Sequence, residues 1–260
     1  MIKQKSIYFL VILLCICWCI KYAQLAYAVP DAQEVSENEN KPAKIGIGIL
    51  YSNSPYIGVD DEVFPVPLII AEYKNFYIDG RTFGYILKEN RNISFSIVGK
   101  PRFMGYEASD SSVLRGMQDR DWTLDAGLRL VIKNDLFVID IAGINDILSV
   151  HEGFEGCILV SKEFFKGFLT PRAGIKWQSS KLIDYYYGIE NSEVRPGRPY
   201  YEGNSALNFV AGLTIAIPIG SSWAFVSDFE YENTDSEIGN SPIVDTDKVF
   251  TYVAGVVYRF

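Results

Sequence analysis

Residues 121–132 read DWTLDAGLRLVI, an alternating stretch in which Trp122, Leu124, Ala126, Leu128 and Leu130 fall on one face of a strand and Asp121, Thr123, Asp125, Gly127 and Arg129 on the other. The same period-two pattern returns in LFVIDIAGINDI (136–147), GFLTPRAGIKWQ (167–178), SALNFVAGLTIAIP (205–218) and SWAFVSDFEYE (222–232). The second face is ionisable or small each time: Asp140 and Asp146, Arg172 and Lys176, Asn208 and Gly212, Asp228 and Glu230. A closed antiparallel transmembrane β-barrel needs this arrangement, with apolar side chains towards lipid, polar ones towards the lumen, and every backbone group paired around the ring.

Strands are expected near residues 44–51, 66–74, 76–87, 92–104, 121–132, 135–148, 153–163, 167–178, 181–188, 205–218, 222–232 and 248–260. That makes twelve, an even number that leaves both termini on one side of the membrane. Ten is the alternative, because 181–188 is short and 44–51 is rich in glycine. On this count the segment 105–120 falls on the periplasmic side, where outer-membrane barrels ordinarily have short turns.

The chain begins with Lys3 and Lys5, an apolar run from Ile7 to Ile20, and Ala26-Tyr27-Ala28, which reads as a secretory signal peptide over 1–28, cleaved after Ala28. The run falls short of the roughly 20 residues of a spanning helix. Residues 29–43 are expected to form a disordered acidic leader, and 44–260 the barrel. Removing Lys3, Lys5 and Lys21 from the 24 basic residues leaves 21 against 32 acidic ones, a net charge of −11, which argues against nucleic acid as a partner. With the signal go Cys15, Cys17 and Cys19, leaving Cys157 without a disulfide partner.

The final strand, TYVAGVVYRF (251–260), puts Phe260, Tyr258, Val256, Ala254 and Tyr252 on one face. In a barrel its edge pairs with the first strand and its rings sit at the membrane interface. Tyr258 and Phe260 resemble the C-terminal signal read by the outer-membrane assembly machinery.

Several strings carry a family resemblance: YSNSPYIGVDDEVFPVPLI (51–69), EYKNFYIDGRTFGYIL (72–87), YEASDSSVLRGMQDRDWTLDAGL (106–128), LTPRAGIKWQSSKLIDYYYGI (169–189), RPGRPYYEG (195–203), NSPIVDTDKVF (240–250) and the closing VYRF (257–260). Together they resemble the MipA/OmpV family of outer-membrane proteins over nearly all of the mature chain. The resemblance implies a closed barrel in outer-membrane lipid. One member of the family is a scaffold for a lytic murein transglycosylase and a peptidoglycan synthase, so the resemblance implies those classes of partner. No short motif carries the scaffolding role onto particular residues.

The loops have a reading of their own. Asp60, Asp61 and Glu62 cluster in one, and Glu107, Asp110, Asp119 and Asp121 lie near Arg115 and Arg120 in another. Such carboxylates offer oxygen ligands to a divalent cation, but they match no EF-hand spacing and acidic loops are ordinarily solvated, so no metal or cofactor is expected. Arg195 and Arg198 are offered either to the acidic loops or to lipid phosphates. His151, the sole histidine, stands beside Glu152 with no evident nucleophile and reads as a turn residue at the periplasmic rim. Cys157 falls lumenward as a small filler. No catalytic residue is expected.

Two functions then compete, a scaffold acting through its rim and a small-solute channel acting through its lumen. The expected lumen set is Glu72, Asp79, Arg81, Asp125, Arg129, Asp140, Arg172, Lys176, Asp228 and Glu230. Its mixed signs pair across a narrow interior and fill it, which favours the scaffold. Glu107, Asp110, Arg115 and Arg120 are the expected partner contacts. Deleting Phe260, or changing Tyr258 and Phe260 to Asp, is expected to abolish the heat-modifiable band of the folded protein in envelope fractions; a normal folded yield from the deletion would count against the assembly signal.

Overall fold

The computed structural model describes residues 43–260, so the expected signal peptide and the leader up to residue 42 lie outside the described residues. Twelve antiparallel strands close into a barrel in sequence order: β1 (Lys44–Ser52), β2 (Glu62–Tyr73), β3 (Phe76–Asp79), β4 (Thr82–Glu89), β5 (Ile93–Arg102), β6 (Thr123–Lys133), β7 (Val138–Asp146), β8 (Phe154–Ser161), β9 (Leu169–Gln178), β10 (Ala206–Ile219), β11 (Trp223–Asn233) and β12 (Lys248–Arg259). The seam joins the two ends of the described chain, from Lys44 opposite Arg259 to Ser52 opposite Thr251. Glycine permits the close approach there: a Cβ on Gly46 would lie 1.9 Å from the Val256 carbonyl oxygen.

Register fixes which way each side chain points. Gly46, Gly48 and Leu50 of β1 pair with Val257, Gly255 and Val253 and face inward, while Ile45, Ile47 and Ile49 face outward and are exposed. The outward rows of β6, β10 and β11 continue the surface with Leu128, Phe209, Ile217 and Phe229, all exposed. So large an apolar surface belongs in lipid, not in water. Aromatic residues cluster at both ends of the band. Trp223, Tyr258 and Phe260 pack edge to face at 5.1 and 4.9 Å at one end, and Tyr231 meets Phe250 at 5.0 Å at the other. Paired girdles of this kind mark the two membrane interfaces.

The connections divide by length. One end of the barrel carries the termini of the described chain and short turns such as Lys74–Asn75, 90–92 and 220–222. The opposite end carries the long loops 53–61, 103–122, 179–205 and 234–247, together with 147–153. The segment 105–120 therefore lies at the end opposite the termini, a correction to the sequence reading. One strand assignment produced that error, and a second, later in the chain, hid it in the count. Residues 76–87 form two strands turning at Gly80 and Arg81, with Gly80 at the positive φ of 59° that such a two-residue turn requires. Residues 181–188 belong to a helix, α1 (Ser180–Tyr187), whose buried residues Leu182, Ile183, Tyr186 and Tyr187 recur at helical spacing. One strand missed and one strand added left the total at twelve.

Replacing outward-facing Leu128, which is 50% exposed, with Arg puts a charge on the lipid face. It is expected to lower unfolding stability in vesicles by about 2 to 4 kcal/mol if the residue lies at mid-bilayer. Urea titration followed by gel mobility reads the change.

Candidate functional site

The long loops pack on one another and cover their end of the barrel. Tyr56 of the first loop lies edge-on to Tyr106 at 4.8 Å and stacks on Tyr187 at 5.7 Å. Leu114, Met117, Leu182, Ile183, Tyr186, Ile238 and Ile243 complete a buried apolar cluster drawn from four loops. Burial pushes the Tyr106 hydroxyl up to about 12 and raises Tyr56, Tyr186 and Tyr187 well above the ordinary phenol range.

Charged loop residues serve the cap's backbone. Asp61 accepts from the Tyr51 hydroxyl at 2.7 Å and from the Ser54 N–H at 3.2 Å. Asp110 accepts from the Glu107 N–H, and Asp119 from the Ala108 N–H, both at 2.7 Å. Arg195 and Arg198 donate to the carbonyls of Ser112, Val113 and Arg115 and not to acidic side chains, so their role is to hold the 103–122 loop to the 179–205 loop. Arg120 is buried, lies 3.4 Å from Glu193, and sits over the rings of Tyr106 and Tyr185. Of the four expected partner contacts, Asp110 and Arg115 are exposed, Glu107 is half-buried and Arg120 is enclosed.

Beneath the cap runs a belt of buried polar groups. Arg102 of β5 donates through Nε to Asp125 of β6 at 2.7 Å and through Nη2 to Glu155 of β8 at 2.9 Å. Gln178 of β9 donates to Glu155 at 3.0 Å, and Asn208 of β10 donates to Gln178 at 3.1 Å and to Glu232 of β11 at 2.6 Å. Lys176 closes this arc on Glu232. Each carboxylate has a cation or amide partner, as a confined charge requires.

Towards the turn end the pairs are more open. Arg129 grips Asp140 through Nε and Nη2 at 3.0 and 2.6 Å. Arg172 reaches Asp228 at 2.8 and 2.9 Å and Glu230 at 2.8 Å. Glu72 faces the lumen opposite Tyr77, Asp79 closes the β3–β4 hairpin opposite Thr82, and Arg81 stands in the turn between those two strands. Sequence reasoning passed over Arg102, Glu155 and Glu232 as members of this network. Arg102 shares its parity with Lys100 and Ser96, and Glu232 with Asp228 and Glu230, so alternation carried the signal.

His151 is buried at the loop end, a second correction. Its Nδ1 accepts from the Gly153 N–H at 2.9 Å, which leaves Nε2 to donate to Asp125 at 3.2 Å. Asp146, beside it, accepts from Thr123 Oγ1 and from the N–H groups of Leu148, His151 and Glu152. These three side chains are close enough to hold a metal ion, but both ring nitrogens and the Asp146 carboxylate are already engaged in holding the 147–153 loop. The arrangement is structural. Cys157 faces the lumen in register with Lys176.

An apolar band between aromatic girdles, a polar lumen and loops gathered at one end define an outer-membrane type of transmembrane β-barrel. The chain belongs to the family described as MltA-interacting protein MipA, whose model matches residues 45–260. It is similar to YiaT of Escherichia coli (strain K12), with 28% identity covering 90% of this chain and 96% of that one. It is similar also to the MltA-interacting protein of Escherichia coli (strain K12), at 26% identity over 93% of this chain and 99% of that one. Outer membrane protein OmpV of Vibrio cholerae matches at 28% identity over 60% of this chain and 62% of its own length. The protein is an outer-membrane barrel, so its short turns face the periplasm and its capped end faces outward.

Arg102 is the pivot of the belt. Its replacement by Ala leaves Asp125 and Glu155 facing each other without their shared cation and is expected to cost about 3 to 5 kcal/mol. Arg129→Ala, in a pair about a quarter exposed, is expected to cost clearly less. Urea midpoints in vesicles compare the two, and an Arg102→Ala cost no greater than that of Arg129→Ala would sink the assignment.

Proposed function

We propose that this barrel anchors periplasmic peptidoglycan-remodelling enzymes, a murein transglycosylase together with a peptidoglycan synthase, at the outer membrane, and that it performs no catalysis itself. The observation that carries the reading is the closed outer mouth. An apolar cap above a paired belt suits a protein used for its surface better than a general pore. The likeness to a protein named for its interaction with MltA, along almost the whole of both chains, supports the same class of partner.

A periplasmic partner meets the turn end. The contact proposed for Glu107, Asp110, Arg115 and Arg120 therefore moves to that rim, since those residues lie on the outward loops. The turn joining β8 to β9 is the strongest candidate. Phe165 and Lys166 hold positive φ angles of 54° and 61°, sparsely populated for residues with a side chain, and Phe165 is 73% exposed. Strain that presents a phenylalanine beside Lys162 and Lys166 suits a contact with an apolar centre and an acidic rim. The alternative, a small-solute channel, requires the cap to open, and large conductance steps in planar bilayers would favour it.

The test is affinity capture from detergent-solubilised envelopes, scored for murein hydrolases and synthases. Phe165→Ser with Lys166→Glu is expected to weaken capture in a salt-sensitive manner, while Arg115→Glu leaves it unchanged. Failure of the wild type to recover either class at low salt would overturn the anchor reading, and the reverse ranking of the two variants would overturn its site.

A further inference from the structure

The barrel wall is incomplete between β2 and β5. The β3–β4 hairpin turns at Gly80 and Arg81, where the Gly80 N–H donates to the Ile69 carbonyl at 3.0 Å. Above that level, among the described residues, no strand pairs with β2 from Glu62 to Leu68 on this side, or with β5 from Lys100 to Arg102. The gap is two strands wide, about 10 Å at ordinary strand spacing. It is bounded below by the hairpin and above by the first and second long loops, which meet at Tyr56 and Tyr106.

Both edges of the gap are built for permanence. Ile69 turns its carbonyl towards β3, so Val63, Pro65 and Pro67, of the same parity, direct their backbone groups into the gap. On β5 the Ile93 carbonyl points to the β4 side and the Asn92 carbonyl accepts from Lys133 of β6, so Pro101 also faces the gap. Three prolines therefore stand where backbone N–H groups would be left unpaired in lipid. Proline removes those donors and blocks pairing with another strand.

Behind the gap the inner wall is apolar: Phe64, Val66 and Leu68 face inward from β2 opposite Leu50, Gly48 and Gly46. Two cations stand beside it. Lys100 faces inward from β5, 3.5 Å from Glu155, and Arg81 stands at the tip of the hairpin, at the lower edge of the gap. The opening thus joins the lipid phase to an apolar wall with positive charge at its lower inner edge.

We propose that this lateral opening binds a fatty acid drawn from the membrane, its carboxylate between Arg81 and Lys100 and its chain against Phe64, Val66 and Leu68. A single chain with a compact head passes a gap of this width, whereas a phospholipid would have to bring its glycerol and second chain through with it. The closed outer mouth makes the side wall the entrance for an apolar ligand.

The probe is a diazirine-bearing oleate analogue added to the protein in phosphatidylcholine vesicles, with cross-links mapped by peptide sequencing. The expected result is labelling at Phe64, Val66 and Leu68 that unlabelled oleate competes away. Arg81→Gln is expected to reduce it about tenfold, the loss of one charge-assisted contact, without changing labelling of the outward Ile47 and Ile49. Val66→Trp, which fills the apolar wall while leaving both cations in place, is expected to reduce it as well, and heat-modifiable mobility checks that each variant is folded. Labelling confined to outward residues would overturn the proposal. Equal inward labelling by the methyl ester, or by the wild type and Arg81→Gln, would remove the carboxylate site. Preference for a phosphatidylglycerol analogue would replace the fatty acid with a phospholipid.

Discussion

Inside a bilayer no water is available to a backbone N–H or C=O, and each group left unpaired costs several kcal/mol. The ring of twelve strands answers that constraint by pairing each strand on both sides, and the β1–β12 seam completes it. Where the ring is cut short, above the β3–β4 hairpin, the composition of the edges changes. Pro65 and Pro67 on one side and Pro101 on the other remove donors that would otherwise face lipid. The carbonyls and the Val63 N–H remain, but with these donors removed a neighbouring strand finds only an incomplete ladder there.

The same absence of water governs the lumen. Arg102 is enclosed with two carboxylates, and each of those has a further partner, Asp125 in His151 and Glu155 in Gln178. Removing any one member strands another, so the belt specifies a single arrangement of β5, β6, β8 and β9 more than it adds net stability. The cap depends on the belt through Asn208, which donates to Glu232 below and accepts from the Asp235 N–H in the loop above. Lumen order and loop order are coupled at that residue.

Alternation made the barrel legible because its period is a property of each strand alone. In 121–132 or 222–232 the sequence suffices to say which residues face lipid. It could not say that SKLIDYYY is helical: Leu182, Asp184 and Tyr186 alternate acceptably, and only burial of Ile183 and Tyr187 in the cap decides for the 3.6 period. The tight turn at Gly80 and Arg81 was marked by the Asp79-Gly80 dipeptide, but the alternation that continues on either side hid it. Those two misreadings compensated in the strand count, and the missed turn alone inverted the 105–120 segment. Which lumen carboxylate meets which cation was not legible at all. Partners such as Arg172 and Asp228 lie 56 positions apart and come together only through the registers of β9 with β10 and β10 with β11.

These features divide the molecule by direction. The outward end spends its loops on a sealed core, in which Arg195 and Arg198 hold carbonyls and Asp61, Asp110 and Asp119 hold N–H groups. The periplasmic end, by contrast, has turns too short to form a core of their own, so a residue there is exposed unless something covers it. Phe165 is exposed in a left-handed backbone conformation that glycine would adopt with less strain, and the girdle rings Trp223 and Tyr258 at the same end pack on each other instead. The third direction is the wall, where the shortened hairpin meets an apolar inner face. A barrel needed only as an inert anchor gains nothing from an interrupted wall and would be more stable with β3 and β4 extended to the height of their neighbours. Retaining the interruption, with proline along both of its edges, is a cost that a binding site in the wall accounts for.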